Sequence, residues 1–69
     1  MTPAQAKKII ANALNTLGLG SGHKLTAKTV SFSDLGRGSR IFVKIHNWQS
    51  HAGWAILDKV ARTNGFSIE

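Results

Sequence analysis

The sequence predicts a single small α+β domain in which two helices pack on one face of an antiparallel three-stranded sheet, in the order α-β-β-α-β. Two stretches have apolar residues at helical spacing, and two others are rich in β-branched and aromatic residues. The chain has 69 residues, 42% of them hydrophobic and 17% charged. Since no repeat or linker divides it, we expect residues 1–69 to form one domain with a thin core.

The first helix is predicted over residues 3–17. Thr2 and Gln5 have the spacing of a capping box, and Pro3 suits the first helical position. Gly18 is placed to adopt the left-handed conformation that commonly ends a helix. The apolar residues on the predicted core side are Ala6, Ile9, Ile10, Ala13, Leu14 and Leu17.

A β-hairpin is predicted next, with strands near residues 24–32 and 39–48 joined by a glycine-rich turn. Successive side chains of a strand point to opposite faces of the sheet. The aliphatic row of the second strand is therefore expected to face both helices, and it consists of Ile41, Val43 and Ile45. The alternating C-terminal tail predicts a short third strand near residues 66–68.

The second helix is predicted near residues 51–64, and Trp54 and Leu57 are expected to be buried. Asp58 and Arg62 are four residues apart, in the order that favours an ion pair on a helix surface. The apolar arc assigned to this helix comprises Trp54, Ile56, Leu57, Val60 and Ala61.

The cysteine content and the N-terminal sequence bear on the compartment. There is no cysteine, so we expect no disulfide and no cysteine-containing zinc site. The N-terminal segment lacks the features of a signal peptide, and no stretch is apolar enough to span a bilayer. We therefore expect a cytoplasmic protein that is not inserted in a membrane.

The sequence gives little support for metal binding or catalysis. Its histidines are too few and too irregularly spaced for a zinc site: His23, His46 and His51. Its only acidic residues are Asp34, Asp58 and Glu69, and they form no evident acid/base pair. We expect no metal, no cofactor and no catalytic residue.

The charge imbalance is the strongest compositional feature. Nine Lys and Arg residues against three Asp and Glu residues give a net charge of +6. Such a charge favours encounter with polyanions, which makes nucleic acid or an acidic protein the expected partner. The alternative interpretation is that the charge only keeps the protein soluble.

A basic and aromatic row is predicted on the sheet face that no helix covers. It alternates with the aliphatic row of the second strand and contains Arg40, Phe42, Lys44, His46 and Trp48. Single-stranded nucleic acids are bound by such surfaces, because bases stack on aromatic rings while cations contact phosphates. Arg37 in the preceding turn adds a further cation. The alternative interpretation is that the aromatic rings only cover the sheet and the cations only protect its edge.

The N-terminal part of the chain resembles HicA-type ribonuclease toxins. The resemblance consists of the short first helix, the Gly-Ser-Gly-His sequence at residues 20–23 and the strand after it. Those proteins resemble double-stranded-RNA-binding domains in fold and carry one catalytic histidine after Gly-Ser, so the resemblance implies a role for His23. Here Gly22 interrupts that pattern, and the second strand is followed by a helix and a terminal strand.

Three functions are therefore open from the sequence. The favoured one is a non-enzymatic, nucleic-acid-binding accessory protein that uses the uncovered sheet face. The second is a protein-interaction module that docks on an acidic partner, and an accessory protein of a phage or mobile element would suit either. The third is a ribonuclease that depends on His23.

Overall fold

A computed structural model describes residues 1–18, 23–31, 38–48 and 53–69. It confirms the α+β class and the α-β-β-α-β order. The elements are α1 (Pro3–Thr16), β1 (Leu25–Ser31), β2 (Ser39–Ile45), α2 (Trp54–Thr63) and β3 (Ser67–Ile68). Each is slightly shorter than the sequence predicts.

Helix α1 begins with the predicted capping box. The Gln5 backbone N–H donates to Thr2 Oγ1 at 3.2 Å, and the Thr2 backbone N–H donates to Gln5 Oε1 at 2.8 Å. These two bonds satisfy N–H groups that have no partner inside the helix. At the other end Gly18 has φ +74°, the left-handed conformation expected where the helix stops.

Removal of the Thr2 hydroxyl should destabilise the domain measurably. We expect Thr2→Ala to lower the free energy of unfolding in urea by about 0.5–2 kcal/mol, because the first turn loses its side-chain acceptor. Thr2→Ser is the matched control, since it keeps the hydroxyl, and it should retain most of that stability. Equal midpoints for the Ala and Ser variants would show that the capping bond contributes nothing.

The sheet has the strand order β1-β2-β3. Strands β1 and β2 are antiparallel, with pairs from Leu25↔Ile45 to Ser31↔Ser39. Strand β3 runs parallel to β2, so the sheet is mixed and the expectation of a wholly antiparallel sheet was wrong in this respect. The reason is that α2 forms the crossover between β2 and β3, and a helical crossover returns the chain to the end where the first strand began.

The core lies between the helices and one face of the sheet. Val43 and Ile45 are buried and Ile41 packs against them, which confirms that the aliphatic row faces the helices. Phe66, just before β3, is fully buried as well. The complete buried cluster is Ala6, Ile10, Leu14, Val43, Ile45, Leu57, Ala61, Phe66 and Ile68.

Helix α2 differs from its prediction in three details. It begins at Trp54, and residues 51–52 of the predicted range lie outside the described residues. Leu57 is fully buried as expected, whereas Trp54 is only half-buried. Ile56, which we assigned to the apolar arc, is 50% exposed. At about 100° per residue it lies roughly 200° around the helix from Trp54, and therefore points away from the core.

The predicted ion pair on α2 is present. Arg62 Nε lies 3.0 Å from Asp58 Oδ2 on the helix surface. Within the described residues, no helix has the length and apolarity needed to cross a bilayer.

Candidate nucleic-acid interface

The face of the sheet opposite the helices is here called the open face. Its residues on β1 and β2 follow from the strand register, which pairs Thr26 with Lys44, Lys28 with Phe42 and Val30 with Arg40. These side chains alternate with the buried row and so point away from the core. The open face therefore consists of Thr26, Lys28, Val30, Arg40, Phe42 and Lys44.

Phe42 occupies the middle of the open face. Its register partners are Lys28 on β1 and Ser67 on β3, while Arg40 and Lys44 are its same-face neighbours along β2. The ring is half-buried and lies outside the core cluster. An aromatic ring flanked by cations on a sheet is an arrangement that can stack a base and hold the adjoining phosphates.

Strand β1 adds cations that the sequence interpretation did not assign to this surface. Lys28 lies on the open face. The His46 N–H donates to the Lys24 carbonyl at 2.9 Å, which continues the β1–β2 ladder by one pair, so Lys24 extends the open face. Lys24 and Lys44 are both exposed. The alternation of β1 in the sequence indicates that Lys24 and Lys28 share one face of that strand. Only the register with β2 shows that this face adjoins Phe42.

The Glu69 carboxylate also reaches the open face. Lys28 Nζ lies 3.5 Å from Glu69 Oε1. The Glu69 N–H donates to the Val43 carbonyl at 2.9 Å, and the Ile45 N–H donates to the Glu69 carbonyl at 3.3 Å. These bonds place Glu69 beside Lys44 in the parallel ladder. The Lys28–Glu69 ion pair thus crosses β2 between Phe42 and Lys44.

Arg40 has a structural role in addition to its charge. Its Nε donates to Ser67 Oγ at 2.6 Å, and its Nη2 donates to the Phe66 carbonyl at 3.2 Å. The half-buried guanidinium thereby fastens β3 to β2. Replacing Arg40 would alter the sheet as well as the charge, so it is a poor residue for testing binding alone.

His46 remains on the side of the open face although β2 ends at Ile45. Its Nε2 lies 3.0 Å from the Oγ1 atom of Thr26, which belongs to the open face. The imidazole is half-buried and extends the polar surface toward Lys24. The structure therefore places four of the proposed row's members together: Arg40, Phe42, Lys44 and His46.

Trp48 does not continue that row. Asn47 has φ +58°, a left-handed conformation that breaks the alternation of the strand. Trp48 packs against the core cluster, with its ring centroid 6.0 Å from that of Trp54. Its Nε1 is buried and has no hydrogen-bond partner among the residues that the structure describes. The Trp48 indole is thus half-buried on the core side, and not exposed on the open face where the sequence interpretation expected it to stack on a base.

His23 belongs to the same aromatic group. Its Nδ1 lies 3.3 Å from the His46 carbonyl oxygen, and its ring centroid lies 5.3 Å from that of Trp48. The imidazole is half-buried and held by these contacts. The next residue, Lys24, points toward the open face. His23 therefore points toward the opposite side and is separated from the open face.

The structure describes other basic residues on the helices but does not describe Arg37. Lys7 and Lys8 are exposed on α1, and Lys59 and Arg62 are exposed on α2. Since both helices cover the other face of the sheet, these residues are separated from the open face by the core.

Two further features of the described residues bear on small ligands. A shallow groove of about 410 Å³ runs along α1, lined by Met1, Gln5, Lys8, Ile9 and Asn12. Its lining residues come from one surface of α1 and from Met1 just before that helix, so it does not enclose a ligand as a small-molecule site does. In the same described ranges, no three His, Asp or Glu side chains are grouped so that they could hold a metal ion.

The fold and this surface define a small α+β domain with a basic sheet face on which Phe42 has a central position. Comparison with protein-family models, with curated proteins and with solved structures gave no match. Function is therefore inferred from the residues of the open face.

Proposed function

We propose that this protein binds single-stranded nucleic acid on the open face and is not an enzyme. The observation that carries the proposal is the position of Phe42 among Lys28, Arg40 and Lys44 on a face that neither helix covers. Stacking on the ring supplies affinity for a base, and the lysines supply affinity for phosphates. The net charge of +6 favours encounter with a polyanion.

Single strands suit this surface better than duplexes. An uncovered sheet face presents Phe42 to an unstacked base, whereas the bases of a duplex are stacked on each other and show only their edges in the grooves. Among the described residues, the helix lysines Lys7, Lys8 and Lys59 are exposed on the other side of the core from Phe42. The lack of cysteine fits a reducing cytoplasm, where we propose that the protein binds single-stranded nucleic acid.

The charge part of this proposal is tested with two matched pairs of lysines. Lys24→Gln with Lys44→Gln removes two cations from the open face, and Lys7→Gln with Lys8→Gln removes two from α1. Affinity for a labelled short single strand is measured at several salt concentrations. The open-face pair should flatten the slope of log affinity against log salt by about 1.4, since each phosphate contact contributes about 0.7.

The α1 pair should change that slope much less, although it alters the net charge equally. If both pairs have the same effect, binding follows net charge and the open face is not the site. A duplex of the same sequence and heparin serve as competitors. Heparin that competes as well as the single strand would favour the alternative, a surface for an acidic protein partner.

The same mixtures test the ribonuclease alternative. His23 is packed against Trp48 and held by the His46 carbonyl, which accounts for its position without a catalytic role. We expect RNA to remain intact during the titrations. Cleavage that disappears in folded His23→Ala would contradict the proposal of a non-enzymatic protein.

A further inference from the structure

The Lys28–Glu69 ion pair lies at the centre of the open face, where a bound strand would have to pass. The side chains of Lys28 and Glu69 are 63% and 42% exposed, so the carboxylate is accessible and its contact with Lys28 is solvated. An exposed ion pair of this kind contributes little to stability. It is therefore easily exchanged for another anion.

We propose that Lys28 and Lys44 form a phosphate subsite that the Glu69 carboxylate occupies in the free protein. Glu69 is the ladder neighbour of Lys44, and its carboxylate pairs with Lys28 across β2, so it shares the open face with both lysines. A carboxylate and a phosphate have the same requirement for ammonium donors. This inference rests on the proposed function, and it identifies the ligand of the subsite as a phosphodiester of the strand whose base stacks on Phe42.

A phosphate that binds in this subsite competes with the Glu69 carboxylate. A phosphate that reaches Lys28 displaces the Glu69 carboxylate, which then stands close to it and repels it. Glu69 thereby lowers the affinity for any polyanion that places a phosphate in this subsite. Removing its charge should strengthen phosphate binding at this position and nowhere else.

The test compares two variants that raise the net charge equally. Glu69→Gln removes the carboxylate from the open face, and Asp58→Asn removes the one that pairs with Arg62 on α2. Each protein is titrated with pyrophosphate and with a short single strand, followed by the NMR signals of the Lys28, Lys44 and Lys7 side chains. We expect Glu69→Gln to bind both probes about fivefold more tightly than the unaltered protein.

Asp58→Asn should change either affinity less than twofold, and the shifts should be confined to Lys28 and Lys44. Equal strengthening by the two variants, or shifts of equal size at Lys7, would overturn the subsite. The pyrophosphate titration decides this question by itself. If the single strand fails to bind while pyrophosphate behaves as expected, the proposed function fails and the subsite stands.

Discussion

Leu57→Ala should unfold most of this protein under conditions in which the unaltered chain is folded. Leu57 is fully buried, and it belongs to the cluster in which both helices meet the sheet. Truncation of a buried leucine costs about 2–5 kcal/mol, because the lost transfer free energy is added to that of the cavity left behind. Since a domain of this size is only marginally stable, such a loss is comparable with its whole free energy of unfolding.

Ile56→Ala is the matched control for this variant. Ile56 is the preceding residue of the same helix but is 50% exposed, so its truncation removes little buried surface. Its midpoint in urea should stay within about 0.5 kcal/mol of the unaltered protein. If Leu57→Ala and Ile56→Ala unfold at the same urea concentration, the core assignment of α2 is wrong.

Phe42→Ala should weaken the binding of single strands by about 5- to 150-fold, which corresponds to roughly 1–3 kcal/mol for one stacked base. The loss should be similar at every salt concentration, because the ring contacts no phosphate. Affinity is measured with the labelled strand over the same salt series as for the lysine variants. The salt series then separates the two contributions: loss of stacking lowers the affinity at every salt concentration, and loss of charge changes the slope.

Two conservative variants separate stacking from simple coverage of the sheet. Phe42→Leu keeps an apolar side chain over β2 but has no aromatic face, and Phe42→Trp enlarges that face. We expect the Leu variant to fold normally and bind as weakly as the Ala variant, whereas the Trp variant retains affinity. A Leu variant that binds as tightly as the unaltered protein would reduce Phe42 to a residue that covers the sheet.

The elements whose signals are local were predictable from the sequence. The capping box of Thr2 and Gln5 and the glycine at position 18 set the limits of α1, since each acts through backbone groups within a few residues. The alternation of β2 placed Val43 and Ile45 in the core and Phe42 and Lys44 on the other face. Both patterns depend only on the geometry of one element.

The misassignments of Trp48 and Ile56 have different causes. Trp48 was placed on the open face because the alternation was extended past Ile45, but the left-handed Asn47 ends it there. Ile56 was counted with the apolar arc because it is aliphatic, although its angular position points outward. Apolar composition alone does not state which side of an element a residue occupies.

The sequence by itself determined the element order, the aliphatic core row and the basic charge, because periodicity, capping and composition are local or additive properties. Only the tertiary structure decided what shares the open face with Phe42. The hairpin register brought Lys28 opposite it, and the crossover through α2 made β3 parallel and set Glu69 beside Lys44. Strand direction and register arise from contacts between residues far apart in the chain, and no local pattern specifies them.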